Sequence, residues 1–282
     1  MNLSPEAVAA WRHWLAVAPD RTHFNYAIEG GDLERHMAEA NAASDATVAR
    51  LAVQIGTLQP HRILEIGCST GFKAAALKRR FPAAEVHGID VDDAAIALGE
   101  VLWPDLDLDL APAERLPYPD ASFDLIVCLT TIEHVADVGA TIAEMARVLA
   151  PGGLALLEAP NYIWPVEPHL GILVPPLAPK PVMRLCAVLQ GQGRHRAYVD
   201  HLKLVHPSLL ERLFRAHRLG WENLAAEKLA HALGGAAGGV VAYRRLAAVA
   251  GWLGRLGLGP LLARAMTGLR LYPSVMYRLW RA

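Results

Sequence analysis

The chain has 282 residues, 53% of them hydrophobic and 20% charged, with a formal net charge of −1. That is enough apolar material for one large core plus elaborations, and the charge balance lacks the basic excess of a nucleic-acid-binding surface, so no nucleic-acid partner is expected. Three cysteines without framework or zinc spacing exclude a disulfide-stapled scaffold, and every apolar stretch long enough to span a bilayer is interrupted by a charge or a proline.

In chain order, Ser4-Pro5-Glu6 reads as a helix start, with a cap, a first-turn proline and an acid at the positive dipole end; the helix is predicted to run to Val17. No basic region followed by an apolar stretch and a cleavage site precedes it, so a cytoplasmic protein is expected. A loop carrying His23, Phe24, Asn25 and Tyr26 follows, then polar helical segments, the last from Ser44 or Asp45 to before Gly56. Strands are predicted at Arg62–Ile66, Glu85–Ile89, Leu106–Leu110, Phe123–Leu129 and Leu154–Ala159, with helices at Gly71–Arg80, Asp93–Leu102 and Gly139–Leu149 between them. This alternation predicts a parallel sheet with right-handed crossovers and a ligand crevice at the carboxyl ends of the strands.

Residues Ile63 to Phe72 read ILEIGCSTGF, a buried strand running into a turn where Gly67 and Gly71 let the backbone bend sharply and approach a ligand; Thr70 is a candidate cap for the next helix. About twenty residues on, VHGID ends the second strand in Asp90, the pairing expected of a nucleoside-containing cofactor. A dinucleotide turn wants glycine at its first, third and sixth positions. Here they are Gly67, Ser69 and Phe72, so a nicotinamide cofactor is disfavoured. Glu65 beside the turn suits a ligand carrying an ammonium rather than a pyrophosphate.

From about Asp45 to Asn161 the chain resembles the class I S-adenosylmethionine-dependent methyltransferases. Glu65-Ile66-Gly67-Cys68-Ser69-Thr70-Gly71 looks like their first motif, and Asp90 stands where they bind the ribose hydroxyls. Glu114-Arg115-Leu116-Pro117-Tyr118 looks like the adenine-side loop, Ser122 to Val127 like the strand after it, and Ile132-Glu133-His134-Val135 and Arg147 to Gly153 complete the set in order. Many relatives carry an aspartate at the position of Pro112, so adenine recognition here falls to Glu114 or to backbone groups. The resemblance implies an α/β, doubly wound Rossmann-like seven-stranded sheet with an antiparallel last strand, plus helical insertions. It implies S-adenosyl-L-methionine as cofactor, held by Glu65, Gly67, Cys68, Ser69, Gly71, Asp90, Val91, Ala113, Glu114 and Leu129. Cys68 and Cys128, at two strand ends, read as small residues filling a tight site.

The domain plan is an N-terminal helical cap at 1–44, a cofactor-binding core at 45–160, a substrate-side insertion or lid at 161–206, core continuation at 207–227, a basic apolar helical insertion at 228–270 and the last strand at 271–282. In the family such N-terminal helices often cover the active site, which makes Tyr26 a candidate lid residue. After a helix at Pro207–His217, strands are predicted at Trp221–Ala226 and at Ser274–Trp280, the latter antiparallel. The 161–206 insertion is far longer than an ordinary connection and so is read as functional. From Lys228 to the C-terminus there are eight Lys or Arg and no Asp or Glu, a pattern suited to an anionic membrane surface at the inner face or to an amphiphilic substrate.

A sulfonium methyl needs an in-line nucleophile, deprotonated if it is a hydroxyl. His134, after the fourth strand, and His169, in Glu167-Pro168-His169, are the rival candidates for that base. Ubiquinone-pathway O-methyltransferases place a metal-binding glutamate three residues before a Glu-His pair. Glu133-His134 matches, but the earlier position is Thr130, so no metal ligand is assigned unless Glu167 replaces it. The Pro-Asn then Glu-Pro-His sequence after the fifth strand is similar to bacterial glycan and envelope-pathway methyltransferases. The expected reaction is therefore methyl transfer to a hydroxyl of an amphiphilic small molecule: a lipid-linked glycan, a quinone precursor or a natural product. The competing reading is a noncatalytic module that binds a partner or membrane through the basic C-terminal part. The intact Glu65, Gly67, Gly71 and Asp90 set argues against it.

Overall fold

The computed structural model describes residues 4–21, 33–231 and 259–281. The expected lid residue Tyr26, its neighbours His23, Phe24 and Asn25, and Arg244, Arg245, Trp252 and Arg255 of the basic insertion lie outside the described residues.

Helix α1 (Pro5–Arg21) starts as its cap predicts: Ser4 Oγ accepts from the Ala7 N–H at 3.1 Å. Helix α2 (Leu33–Ile55) is one continuous helix, not a short segment beginning near Ser44. Ser44 lies buried on the same helical face as Val48, Leu51 and Ile55, and Asp45 pairs with Arg79 at 2.7 Å. Both residues resemble cap signals in sequence but are spent on packing and pairing in mid-helix. The alternating core follows: β1 (Arg62–Ile66), α3 (Phe72–Arg80), β2 (Glu85–Asp90), α4 (Asp93–Leu102), β3 (Asp107–Leu110), β4 (Phe123–Leu129), α5 (Val138–Val148) and β5 (Leu149–Pro160). The short β6 (Val166–Glu167) and β7 (Ile172–Leu173), α6 (Lys180–Leu189), a 3-10 helix (Gly193–Asp200), α7 (Pro207–Ala216), β8 (Leu219–Asn223), α8 (Ala225–His231), α9 (Gly259–Gly268) and β9 (Ser274–Arg281) complete the described chain. Seven strands form one sheet in the order β3-β2-β1-β4-β5-β9-β8 with the last strand antiparallel, as expected; β6 and β7 form a separate hairpin.

The chain divides into two compact units. The first comprises Met1–Leu129, Gly139–Leu156 and Trp280–Ala282. Here β1 pairs in parallel with β2 and β4, Ile63 standing opposite Val86 and Leu125. Ile63, Leu64, Leu125, Ile126, Val127 and Cys128 are all buried, the continuous apolar runs required of strands covered on both faces. Trp11 and Trp14 of α1 pack with Met37 of α2 and Ala94, Ala95 and Leu98 of α4. Asp92 caps α4 by accepting from the N–H groups of Ala94 and Ala95, both at 3.1 Å.

The second unit comprises Thr130–Val138 and Leu157–Leu279. The strand expected at Trp221–Ala226 is shifted: β8 ends at Asn223, whose Oδ1 accepts from the Ala225 N–H at 2.9 Å and turns the chain into α8. The all-basic C-terminal pattern is partly answered by acids from earlier in the chain. Lys228 pairs with Glu158, Arg270 with Glu211 at 2.7 Å, and Arg278 with Glu222. Among the described residues no helix is long and apolar enough to cross a membrane.

Candidate active site

Two clusters carry chemistry, one in each unit. The first is the turn after β1. Gly67, Ser69 and Gly71 take positive φ values of 77°, 48° and 81°, so alternate residues are left-handed and the chain coils into a tight concave loop. The loop is pinned to the end of β2, where Ile89 O accepts from Gly67 N at 2.8 Å and from Cys68 N at 2.9 Å. At Gly71 a Cβ would meet Trp103 Cδ1 at 2.9 Å, so both the dihedral and the packing demand glycine. Trp103, which the sequence did not single out, locks the same loop by donating Nε1–H to Thr70 O at 3.0 Å. Thr70 does not cap α3 as expected: Gly71 is the cap residue and no side chain caps the helix.

Asp90, at the carboxyl end of β2, accepts from Ser69 N at 2.8 Å through Oδ2 and from Asp92 N at 3.0 Å through Oδ1. Burial raises its pKa, opposed by these backbone amides. Each carboxylate oxygen offers two lone-pair sites, so both retain capacity for a ligand hydroxyl. The next residue, Val91, is 72% exposed, an apolar side chain presented beside that carboxylate. Glu65 is fully buried and has Lys73 Nζ at 3.1 Å from Oε1; burial raises its pKa and Lys73 opposes the rise. Its charge is thus answered from within the protein. Cys68 is also turned inward, since a Cβ on Gly88 would meet its Sγ at 2.9 Å, and its carbonyl accepts from Gly71 N at 2.9 Å within the loop.

The 114–120 loop is held by a pair of α5 residues that the sequence pattern hides in a helix face. Glu144 Oε2 accepts from Leu116 N at 2.7 Å, and Arg147 donates to the carbonyls of Leu116 at 3.1 Å and Tyr118 at 2.7 Å. Their mutual ion pair, 2.7 Å, holds the Glu144 carboxyl below the usual carboxylate range. Ala113 is buried and Glu114 half-buried at the start of this loop, and Leu129 is buried at the end of β4.

The second cluster joins the two histidines that the sequence left as rivals. Thr130 takes a left-handed φ of 52° as its N–H bonds Glu158 O at 2.8 Å, and His134 N closes a turn on Thr131 O at 2.8 Å. The β6–β7 hairpin, pairing Val166 with Leu173 and Glu167 with Ile172, presents Glu167 and His169. Glu167 Oε1 lies 2.7 Å from His169 Nδ1, and its Oε2 accepts from Leu170 N at 2.7 Å. The His134 and His169 ring centroids are 5.5 Å apart, and Tyr198 completes a triangle of rings, with Oη 3.4 Å from His134 Nε2. Tyr198 was invisible to motif reading because it arrives from a 3-10 helix some thirty residues downstream. Glu133 is the centre of the cluster. Its carboxylate is 0% exposed and, among the described residues, no hydrogen bond from another residue reaches either oxygen, yet Oε1 is 3.8 Å from His169 Nε2 and 3.9 Å from His134 Nε2. Burial pushes the Glu133 pKa up to about 7. Burial alone would lower the His169 pKa, but the Glu167 hydrogen bond and the nearby carboxylates outweigh it and raise it. Glu167, the residue that could have replaced the carboxylate lacking at Thr130, instead orients His169.

Residues 64–157 match a family model described as a methyltransferase domain. A probable S-adenosylmethionine-dependent methyltransferase of Mycolicibacterium smegmatis is 38% identical over 101 residues, 36% of this chain and 38% of that protein. A ubiquinone biosynthesis O-methyltransferase of Alkalilimnicola ehrlichii is 33% identical over 112 residues, 38% of this chain and 44% of that protein. The family-model match covers a third of the chain and is to a methyltransferase domain, in line with the relatives. The matched stretch spans less than half the length of either relative. The solved structure of the [4+2]-cyclase SpnF superposes with a TM-score of 0.51 at 20% identity, covering 84% of this chain and 81% of that one, a likeness of fold alone.

S-adenosylmethionine is the cofactor of this methyltransferase family, and the first cluster fits it chemically. The left-handed loop brings backbone close to a ligand, the Asp90 oxygens keep accepting capacity for a ribose diol, and exposed Val91 offers an apolar edge for a flat base.

Proposed function

We propose that this protein transfers the methyl group of S-adenosylmethionine to a hydroxyl of an amphiphilic small molecule, a lipid-linked glycan, a quinone precursor or a natural product. The Gly67, Cys68, Ser69 and Gly71 backbone receives the amino-acid end of the cofactor, Asp90 the ribose, and Val91, Ala113, Glu114 and Leu129 the base and its surroundings. Glu65, buried and paired with Lys73, stands at the end of β1 where the loop begins.

The observation that carries the hydroxyl acceptor is the Glu167–His169 arrangement. With Nδ1 2.7 Å from a buried carboxylate, the neutral form of His169 keeps its proton there and presents the Nε2 lone pair, as a proton acceptor needs. A carbon or sulfur nucleophile of low pKa has less need of such a group. In the reaction the acceptor O–H gives its proton to the imidazole, the oxygen lone pair forms the new O–CH3 bond, and the S–CH3 bonding pair returns to sulfur as the neutral thioether leaves. The exposed Leu261 and Arg264 of α9 support contact with an amphiphilic acceptor or an anionic membrane surface. The deciding experiment incubates the full chain and methyl-labelled cofactor with fractionated lipid and metabolite extracts. Mass spectrometry and NMR of the product should show a new O–methyl group. A label found only on carbon or nitrogen overturns the hydroxyl reading, and no transfer to any fraction favours the noncatalytic module.

A further inference from the structure

We infer that Glu133, His134 and His169 form a binding site for one divalent first-row transition-metal ion. The inference stands on geometry within the second unit and holds whatever the acceptor is.

The starting point is the unsatisfied carboxylate. A fully buried carboxyl group without a hydrogen bond from a neighbour is a costly arrangement that calls for a compensating partner. Glu133 has two imidazole nitrogens facing it, but at 3.8 and 3.9 Å they stand too far for direct hydrogen bonds. Those separations suit a shared ion: ligand atoms each about 2.1 Å from a common metal stand roughly 3 to 4 Å from one another. One ligand atom from each of the three residues lies within 4.8 Å of the other two, so adjustment of the side chains would bring the set onto one ion.

The supporting contacts have the character of a metal site's outer shell. A ligating histidine characteristically gives its other ring N–H to a carboxylate, which fixes the tautomer and aims the ligating lone pair. Glu167 does this for His169, and is itself fixed by the Leu170 N–H. The Glu133 backbone is also tied, its carbonyl accepting from Lys203 N at 2.7 Å. Two imidazoles and one carboxylate favour zinc, cobalt, manganese or ferrous iron over magnesium or calcium, which prefer all-oxygen sets. Three protein ligands leave coordination positions open. An acceptor hydroxyl taking one would lose its proton more readily, the ion then doing the work that the Nε2 lone pair does without it.

The test uses the full chain, stripped with chelator and titrated with Co(II) while its visible absorption is followed, and with Zn(II) by calorimetry. One ion per chain is expected, with a Co(II) spectrum lacking thiolate charge-transfer bands. Glu133→Gln and His169→Asn should each weaken binding at least about 100-fold, and Glu167→Gln about 10- to 100-fold. Glu133→Gln replaces a buried carboxyl that no neighbouring hydrogen bond satisfies with a neutral amide of the same shape, so it should unfold no more easily than the metal-free parent, which keeps its result interpretable. No saturable binding by the parent, or unchanged affinity in folded Glu133→Gln, overturns the site. His169-dependent methyl transfer by demonstrably metal-free protein overturns the ion's part in the reaction and leaves the imidazole base in place. Stoichiometric binding without hydroxyl methylation upholds the metal site and removes only the proposed acceptor.

Discussion

The loop after β1 and the Glu133 cluster are built on opposite plans. The loop acts through backbone: left-handed residues at 67, 69 and 71, amides bonded to Ile89 O and Asp90, and charges such as Glu65 already met by Lys73. The cluster is built from side chains drawn from three separate stretches, and at its centre Glu133 faces two histidines at 3.8 and 3.9 Å without a hydrogen bond to either. The difference teaches how a fold divides labour. A cofactor common to a family can be held by contiguous backbone geometry, whereas chemistry directed at a particular acceptor needs side chains that unrelated segments bring together.

This contrast predicts that changes in the two regions should damage different quantities. The largest effect is expected in the cluster: His169→Ala should lower turnover about 100- to 10,000-fold, with S-adenosylmethionine affinity measured by calorimetry nearly unchanged. Equal loss of cofactor affinity would erase the proposed division. In the loop, Asp90→Ala should weaken cofactor binding at least about tenfold, since hydrogen bonds to a charged group contribute about 1.5 to 3 kcal/mol each, while turnover at saturating cofactor changes far less. A selective fall in turnover would instead place Asp90 in the chemistry.

A smaller effect tests how the loop is locked. Trp103→Phe removes the bond to Thr70 O but keeps an aromatic ring, so thermal unfolding should show a loss of about 1 kcal/mol together with a few-fold weaker cofactor binding. Unchanged binding would show that the glycine dihedrals suffice without the lock. The smallest effect concerns acid. Glu144 is held below the usual carboxylate range by Arg147, so its stabilising contribution is fully present above the unfolded carboxylate pKa and is lost as pH falls through its lower folded value. Glu144→Gln should therefore unfold more easily than the parent near neutrality, with the gap narrowing in acid; a gap constant with pH would remove the ion pair as its cause.

The strands and the turn after β1 were largely legible in the sequence because their information is local. Apolar runs specify buried parallel strands, glycine spacing specifies the turn, and an acid ends the next strand; all follow from steric and hydrophobic rules acting over a few residues. The misreadings have equally physical causes. Ser44 and Asp45 look like a helix start because a cap hydroxyl and a buried mid-helix serine are identical in sequence, and the basic C-terminal stretch looks solvated because Glu158, Glu211 and Glu222 precede it by dozens of residues. His134 and His169 could be named as candidates but not joined, and Tyr198 and Trp103 could not be named at all. By itself the sequence determined the fold class and the glycine turn after β1. Only the tertiary structure decided that His134 and His169 share one carboxylate, that Glu167 orients rather than ligates, and that Glu133 is left without a hydrogen bond, because burial and charge pairing depend on segments that meet only when the chain is folded.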